Sequence, residues 1–173
     1  IRKSKIDIKK NIDSFFEWVK GAKLVELTEC NPDEDPVRPE LDNKFRTGYG
    51  RKIYGVQYLG EIHAVMCFAY TNIIPRSVDE LEKLSTDAFL QSAMRDQKGG
   101  QIAVAYTVWS KKKGGGKLIV KEVFKKIKKS NHLNRLVTLS PLTEMATSFH
   151  ERNGAKLVQV NEETQNFEYK IIK

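Results

Sequence analysis

The sharpest chemical signal in the chain is the run Trp109-Ser110-Lys111-Lys112-Lys113-Gly114-Gly115-Gly116-Lys117. Three lysines and three glycines separate a strongly apolar stretch, Ile102–Trp109, from a segment of helical periodicity. That order suits a phosphate or pyrophosphate. Glycines let a backbone approach a ligand closely, and the first N–H groups of a helix lack intrahelical acceptors. The helix dipole adds about half a positive charge at that end, and the lysines add more. A β-branched side chain at Gly115 is therefore expected to block a ligand while leaving the fold mostly intact. A flexible glycine turn beside a solvated lysine face is the competing reading, and the motif alone leaves both open.

Two familiar phosphate loops are excluded. A Walker A loop needs glycine where Lys111 stands and Ser or Thr where Leu118 stands. A dinucleotide Gly-x-Gly-x-x-Gly fails because Ile119 occupies the third glycine position. The charge distribution still favours an anion. The chain carries +8, from 30 Lys and Arg against 22 Asp and Glu, and residues 101–135 hold ten basic residues against Glu122 alone. One segment supplies the whole excess, so its ligand or partner is expected to be negative.

The motif resembles the signature of the GNAT acyltransferases, [Arg/Gln]-x-x-Gly-x-[Gly/Ala], here Lys111-x-x-Gly114-x-Gly116. A second block is similar to the family's Asn-x-x-Ala-x-x-[Leu/Phe]-Tyr-Glu-[Lys/Arg]-x-Gly-Phe. This chain has Thr143-x-x-Ala146-x-x-Phe149-His150-Glu151-Arg152-x-Gly154-Ala155, with Thr143, His150 and Ala155 as the departures. The resemblance is strongest over 52–173. It implies one α/β domain across 1–173, with a mixed, mostly antiparallel central sheet flanked by helices. It also implies acetyl-CoA as co-substrate and direct transfer of the acetyl group to an amine of unknown class. Val108 would offer a backbone N–H to the thioester carbonyl, and Lys111, Lys112, Lys113, Gly114, Gly115, Gly116, Lys117 and Thr143 would hold CoA. His150, in place of the family's tyrosine, would be the catalytic proton carrier. A protonated imidazole donates to a thiolate, and a neutral one accepts from an amine. Ser148 and Thr143 are weaker donors. Glu61 and His63 are weaker bases, more simply read as strand residues.

These groups need a scaffold. Ile8, Ile12, Phe15, Phe16 and Val19 give a helix over 7–20, and Lys23–Thr28 reads as a strand. Asn31–Gly50, with three prolines, reads as a loop with one helical turn at Pro39–Phe45. Lys52–Tyr58 and Ile62–Tyr70 form a hairpin around Leu59-Gly60-Glu61. Ser77-Val78-Asp79-Glu80 is a capping box for a helix carrying Leu81, Leu84 and Phe89. The connection over 71–100 is longer than the family's, and it is expected to shape the acceptor pocket. Residues 117–129 form an amphipathic helix, Arg135–Leu139 a strand, and Glu144–Arg152 a helix stopped at Asn153-Gly154. Ala155–Val160 and Phe167–Ile172 close the sheet across a polar link, Asn161–Asn166.

At 173 residues, 40% hydrophobic and 30% charged, the chain falls among globular proteins with a real core. No apolar run spans a bilayer, and no apolar core follows the basic N-terminus, so neither a membrane segment nor a signal peptide is expected. Cys30 and Cys67 form no Cys-x-x-Cys pair, which suits a reducing, cytoplasmic setting, with Cys67 an inert core thiol. His63, His132 and His150 lack zinc spacing, and no metal is expected. Two alternatives stand beside the acyltransferase: a nucleic-acid-binding module on the Lys111–Lys129 surface, and a GNAT-like CoA binder without catalysis. A homodimer is compatible with each.

Overall fold

The computed structural model describes residues 20–94 and 99–173, so the helix expected over 7–20 lies, apart from its last residue, outside the described residues. The strands are β1 (Lys23–Leu27), β2 (Lys52–Tyr58), β3 (Glu61–Thr71), β4 (Ile102–Ser110), β5 (Arg135–Thr138), β6 (Ser140–Pro141), β7 (Lys156–Val160) and β8 (Thr164–Tyr169). The helices are α1 (Asn43–Thr47), α2 (Val78–Met94), α3 (Gly115–Lys129) and α4 (Glu144–Arg152). One eight-stranded sheet runs β1-β2-β3-β4-β5-β8-β6, and β7 also pairs with β8. Every pairing is antiparallel except that of β4 with β5. The architecture is the mixed, mostly antiparallel sheet that the sequence implied.

Alternation along the central strands builds a core on each face. Ala64, Met66, Phe68, Ala103 and Ala105 pack under Leu118, Ile119, Val123 and Ile127 of α3. Val65, Cys67, Ala69, Ile102, Val104 and Tyr106 face the other way, with Leu81 of α2 among them. Both faces of β4 are thus covered, which explains its uninterrupted apolar run.

Several boundaries differ from the sequence reading. The hairpin turn is two residues, Leu59 and Gly60, at φ 51° and 81°, and Glu61 already belongs to β3. The early loop contains a 3-10 turn at Pro32–Glu34, and its helix sits at Asn43–Thr47. Ser77 caps α2 as expected, its Oγ accepting from Glu80 N–H at 3.1 Å. Phe89, however, is 40% exposed. It lies edge-on to Tyr49 at 6.0 Å and against Gly50, so it covers the loop before β2 rather than the core. Strand β8 begins at Thr164, inside the stretch read as a polar link. Gln165 and Asn166 are buried there because their amides are fully employed: Gln165 donates to Pro141 O and Thr147 Oγ1, Asn166 to Pro75 O and Thr138 O.

A buried charge pair pins the irregular segment before β2 to the sheet. Arg46 is fully buried, and its Nη1 lies 2.9 Å from Asp35 Oδ2. The guanidinium also donates to Leu41 O and Arg38 O, each at 2.8 Å. Asp35 Oδ1 accepts from Thr107 Oγ1 of β4 at 2.7 Å and from the N–H groups of Val37 and Arg38. Cys67 Sγ lies 3.4 Å from Arg46, and burial pushes its thiol up, in keeping with an inert role. Removing one member of such a pair leaves an uncompensated charge. Asp35→Ala is therefore expected to cost about 3–5 kcal/mol in urea unfolding. A loss below about 1 kcal/mol, the range of an exposed pair, would contradict this account.

Candidate functional site

The site originates where the sheet splits. β4 and β5 run parallel from Ile102 and Arg135 to Ala105 and Thr138, and Leu139 N–H then donates to Ala105 O at 2.9 Å. Beyond that link the strands part. β4 continues along β3 to Ser110, whereas β6 pairs with β8. A bulge marks the divergence: Cys67 opposes Thr107 and Phe68 opposes Ala105, which leaves Tyr106 as the extra residue. Bulges bend a strand and increase its twist. This one also sends Tyr106 and Thr107 to the same face, Tyr106 toward Leu81 and Thr107 onto Asp35. Lys111 N–H donates to His63 O on β3, so alternation turns Val108 N–H to the parted edge. Val108 is half-buried there.

Helix α3 begins at Gly115, two residues before the sequence-derived start, and its first turn lies against the end of β4 and α4. Gly114 supports that entry with φ 84°, a conformation costly for any other residue. Gly115 is buried, and a Cβ there would overlap Ser110 Oγ and lie 3.3 Å from His63 O. A Cβ at Gly116 would come within 2.8 Å of the Phe149 ring on α4. The second and third glycines thus let the helix start pack against β3–β4 on one side and α4 on the other. The expectation that substitution of Gly115 spares the fold is corrected, because its open side faces protein. What remains for a ligand is the helix terminus itself. No side chain caps it, and the N–H groups of Gly116 and Lys117 precede the first intrahelical bond, Leu118 N–H to Gly114 O.

The lysines divide by environment. Lys111 pairs with Glu34 at 2.8 Å, both partly exposed, and Lys112 Nζ stands 5.4 Å over the Tyr58 ring. Lys113 and Lys117 are exposed beside the uncapped turn. Thr143 is the N-cap of α4, accepting from Ala146 N–H at 3.2 Å. With Leu142, Glu144, Thr147, Ser148 and Gln165 it lines an open depression of about 390 Å³. Glu61 is exposed and His63 half-buried on β3.

His150 is 5% exposed. Its Nδ1 lies 2.7 Å from the Tyr169 hydroxyl, and its ring stacks on Phe167 at 5.4 Å. Burial pushes its pKa down to about 4, so at neutral pH it is uncharged. Of the two forms considered for a proton carrier, burial favours the neutral imidazole, which accepts rather than donates at its unprotonated nitrogen. Sequence reading missed the Asp35–Arg46–Thr107 cluster and the bulge. Neither has a local signal, since both arise from contacts far apart in the chain.

The chain has the GNAT fold. A GphF GNAT-like decarboxylase in complex with isobutyryl-CoA superposes at TM-score 0.65, over 86% of this chain and 98% of that one, with 9% identity. A Bacillus subtilis acetyltransferase in complex with CoA matches at 0.56 over 87% and 99%, with 10% identity. A malonyl-CoA decarboxylase from Cupriavidus metallidurans matches at 0.52 with 18% identity, over 82% of this chain and only 37% of that longer one. No family model matches the sequence, and no curated protein does. Among the described residues no group of side chains is arranged to hold a metal, and no helix is long and apolar enough to cross a membrane.

The burial of His150 has a pH signature. Its folded pKa lies below the ordinary 6.5, so the unfolded chain binds more protons between about pH 4 and 6.5. Stability is then full above 6.5 and is lost as pH falls toward 4, by about 3 kcal/mol in all. Thermal melts of His150→Gln should lose this component, so the variant's Tm falls less between pH 7 and 5 than the parent's. Parallel pH curves would place the imidazole in water.

Proposed function

We propose that the chain binds an acyl-CoA along the parted edge of β4 and transfers its acyl group directly to an amine. One observation carries the reading: an unpaired strand edge leads to an uncapped, cation-flanked helix start. Exposed strand edges seek backbone-like partners, and the amides of the CoA arm are such groups. The Gly116 and Lys117 N–H groups face an anion there, with Lys113 and Lys117 adding charge. The CoA and isobutyryl-CoA complexes of the two fold neighbours lend support to the ligand class.

In this reading Val108 N–H donates to the thioester oxygen as charge develops on it. The amine nitrogen attacks the carbonyl carbon, the C–N bond forms, and the C–S bond breaks with its electron pair leaving on sulfur. The thiolate, ordinarily near pKa 8.5, takes a proton from water at the open fork while the amine releases its own. Neutral His150 serves as a positioning residue that holds the Tyr169 hydroxyl. Thr143 acts by fixing the start of α4 beside the fork. The unpaired cysteines support a reducing, cytoplasmic setting.

Acetyl-CoA at 100 times its Kd should stabilise the fold by about 2.7 kcal/mol, read as a Tm rise of several degrees. No shift at millimolar acetyl-CoA would end the proposal. Lys113→Gln with Lys117→Gln should weaken CoA binding several-fold, whereas glutamines at Lys121, Lys125 and Lys128 should change it little, because those side chains run down α3 away from its start. A nucleic-acid surface touching six phosphates would lose roughly 10³-fold between 50 and 200 mM salt. A CoA site held partly by neutral N–H groups should show a far shallower slope. Equal losses from both lysine sets, with steep salt dependence toward RNA, would favour the nucleic-acid module.

A further inference from the structure

We infer that the α2-facing side of the fork takes a carboxylate of the substrate, received by Arg38, Tyr106 and Trp109; this rests on the acyl-CoA reading above. Among the described residues, three buried side-chain polar atoms have no hydrogen-bond partner: Arg38 Nε, Tyr106 Oη and Trp109 Nε1. Burying such a group unpaired is unfavourable, and native structures retain few. Tyr106 and Trp109 belong to one face of β4, and Arg38 to the segment that Asp35 and Arg46 tie to that face. Tyr106 is the bulged residue, and Trp109 follows on the same face of β4. Arg38 reaches the base of the fork, with Nη2 3.4 Å from Leu139 O, and Leu139 is the residue bonded to Ala105 where the strands part. Arg46 links the group, donating to Arg38 O and lying 5.6 Å from the Trp109 ring.

The chemistry of the vacant donors selects the ligand. Arg38 and Trp109 offer only N–H groups, and burial pushes the Tyr106 hydroxyl up, which keeps it a donor. A methyl group would leave all three unpaired, and an ammonium would meet donors and positive charge. Arg38 and Arg46 stand beside the buried carboxylate of Asp35, whose oxygens already accept from Arg46, Thr107, Val37 and Arg38 N–H. A carboxylate accepts only, and carries the compensating charge. It arrives on either of two molecules: at the end of the acyl group, or on the acceptor beside its amine.

Calorimetry separates the two sources. Malonyl-CoA against acetyl-CoA reports the acyl end, and glycine against methylamine in the presence of CoA reports the acceptor. At least one carboxylate-bearing member should bind about tenfold more tightly than its partner. Arg38→Gln and Tyr106→Phe should each reduce that ratio several-fold. Tyr106→Phe should not lower the Tm, because the hydroxyl has no well-formed hydrogen bond in the protein and only the weakly bonding Cys67 thiol beside it; a lowered Tm would mark the hydroxyl as structural and overturn its assignment. Equal affinities within both pairs, or a preference that survives both substitutions, overturns the inference, including the case in which water alone satisfies these donors. CoA binding without a carboxylate preference overturns this inference only, whereas failure to bind CoA overturns the acyl-CoA reading and this inference with it.

Discussion

After Ala105 the polar groups along one edge of β4 lose their neighbouring strand, and the rest of the molecule is arranged around that loss. The parallel pairing with β5 ends at Leu139 N–H to Ala105 O, and the next residue of β4 is the bulged Tyr106. An extra residue bends and twists a strand, so the bulge carries β4 away while β6 remains with β8. Backbone N–H and C=O groups require partners wherever they are shielded from water. A parted strand inside a sheet thus presents unpaired polar groups in a protected place, free of the aggregation hazard of an outer edge.

Two devices hold the fork open at a constant shape. On one face, α3 starts between the end of β4 and α4, and its close approach depends on missing side chains at Gly115 and Gly116. On the other face, Thr107 Oγ1 ties the bulge to Asp35, and Arg46 locks Asp35 to the loop before β2. Hydrophobic packing alone would close such a gap. A fully hydrogen-bonded buried ion pair resists closure because its geometry tolerates little displacement.

The electrostatics follow the same geometry. The lysine excess read from the sequence is spread along α3, yet only its start combines charge with unpaired N–H groups. Lys111 and Lys112 are partly employed in holding the loop, through Glu34 and Tyr58. Across the sheet, the buried Arg46 guanidinium is paired with the Asp35 carboxylate and donates to Arg38 O. His150 contributes no charge at neutral pH, because its apolar enclosure removes the proton that a solvated imidazole would keep in mild acid.

Much of the architecture was legible in local pattern. Runs rich in β-branched and aromatic residues marked β2 and β3, an unbroken apolar run marked the doubly buried β4, helical spacing marked α3, and Asn153-Gly154 marked the stop of α4; each depends on neighbours a few residues apart. The lysine–glycine run located the loop between β4 and α3 for the same reason. Tertiary structure decided what those residues do. Gly115 and Gly116 proved to face protein, His150 lay among Phe149, Phe167 and Tyr169, and Thr164–Asn166 formed a strand because distant carbonyls satisfy their side chains. Arg46, an ordinary loop cation by sequence, became fully buried only because Asp35, Leu41 and Arg38 surround it with acceptors. Periodicity reports which side of an element is apolar. It carries no record of which residue, a hundred positions away, arrives to complete a polar group, and that completion sets both the fork and its chemistry.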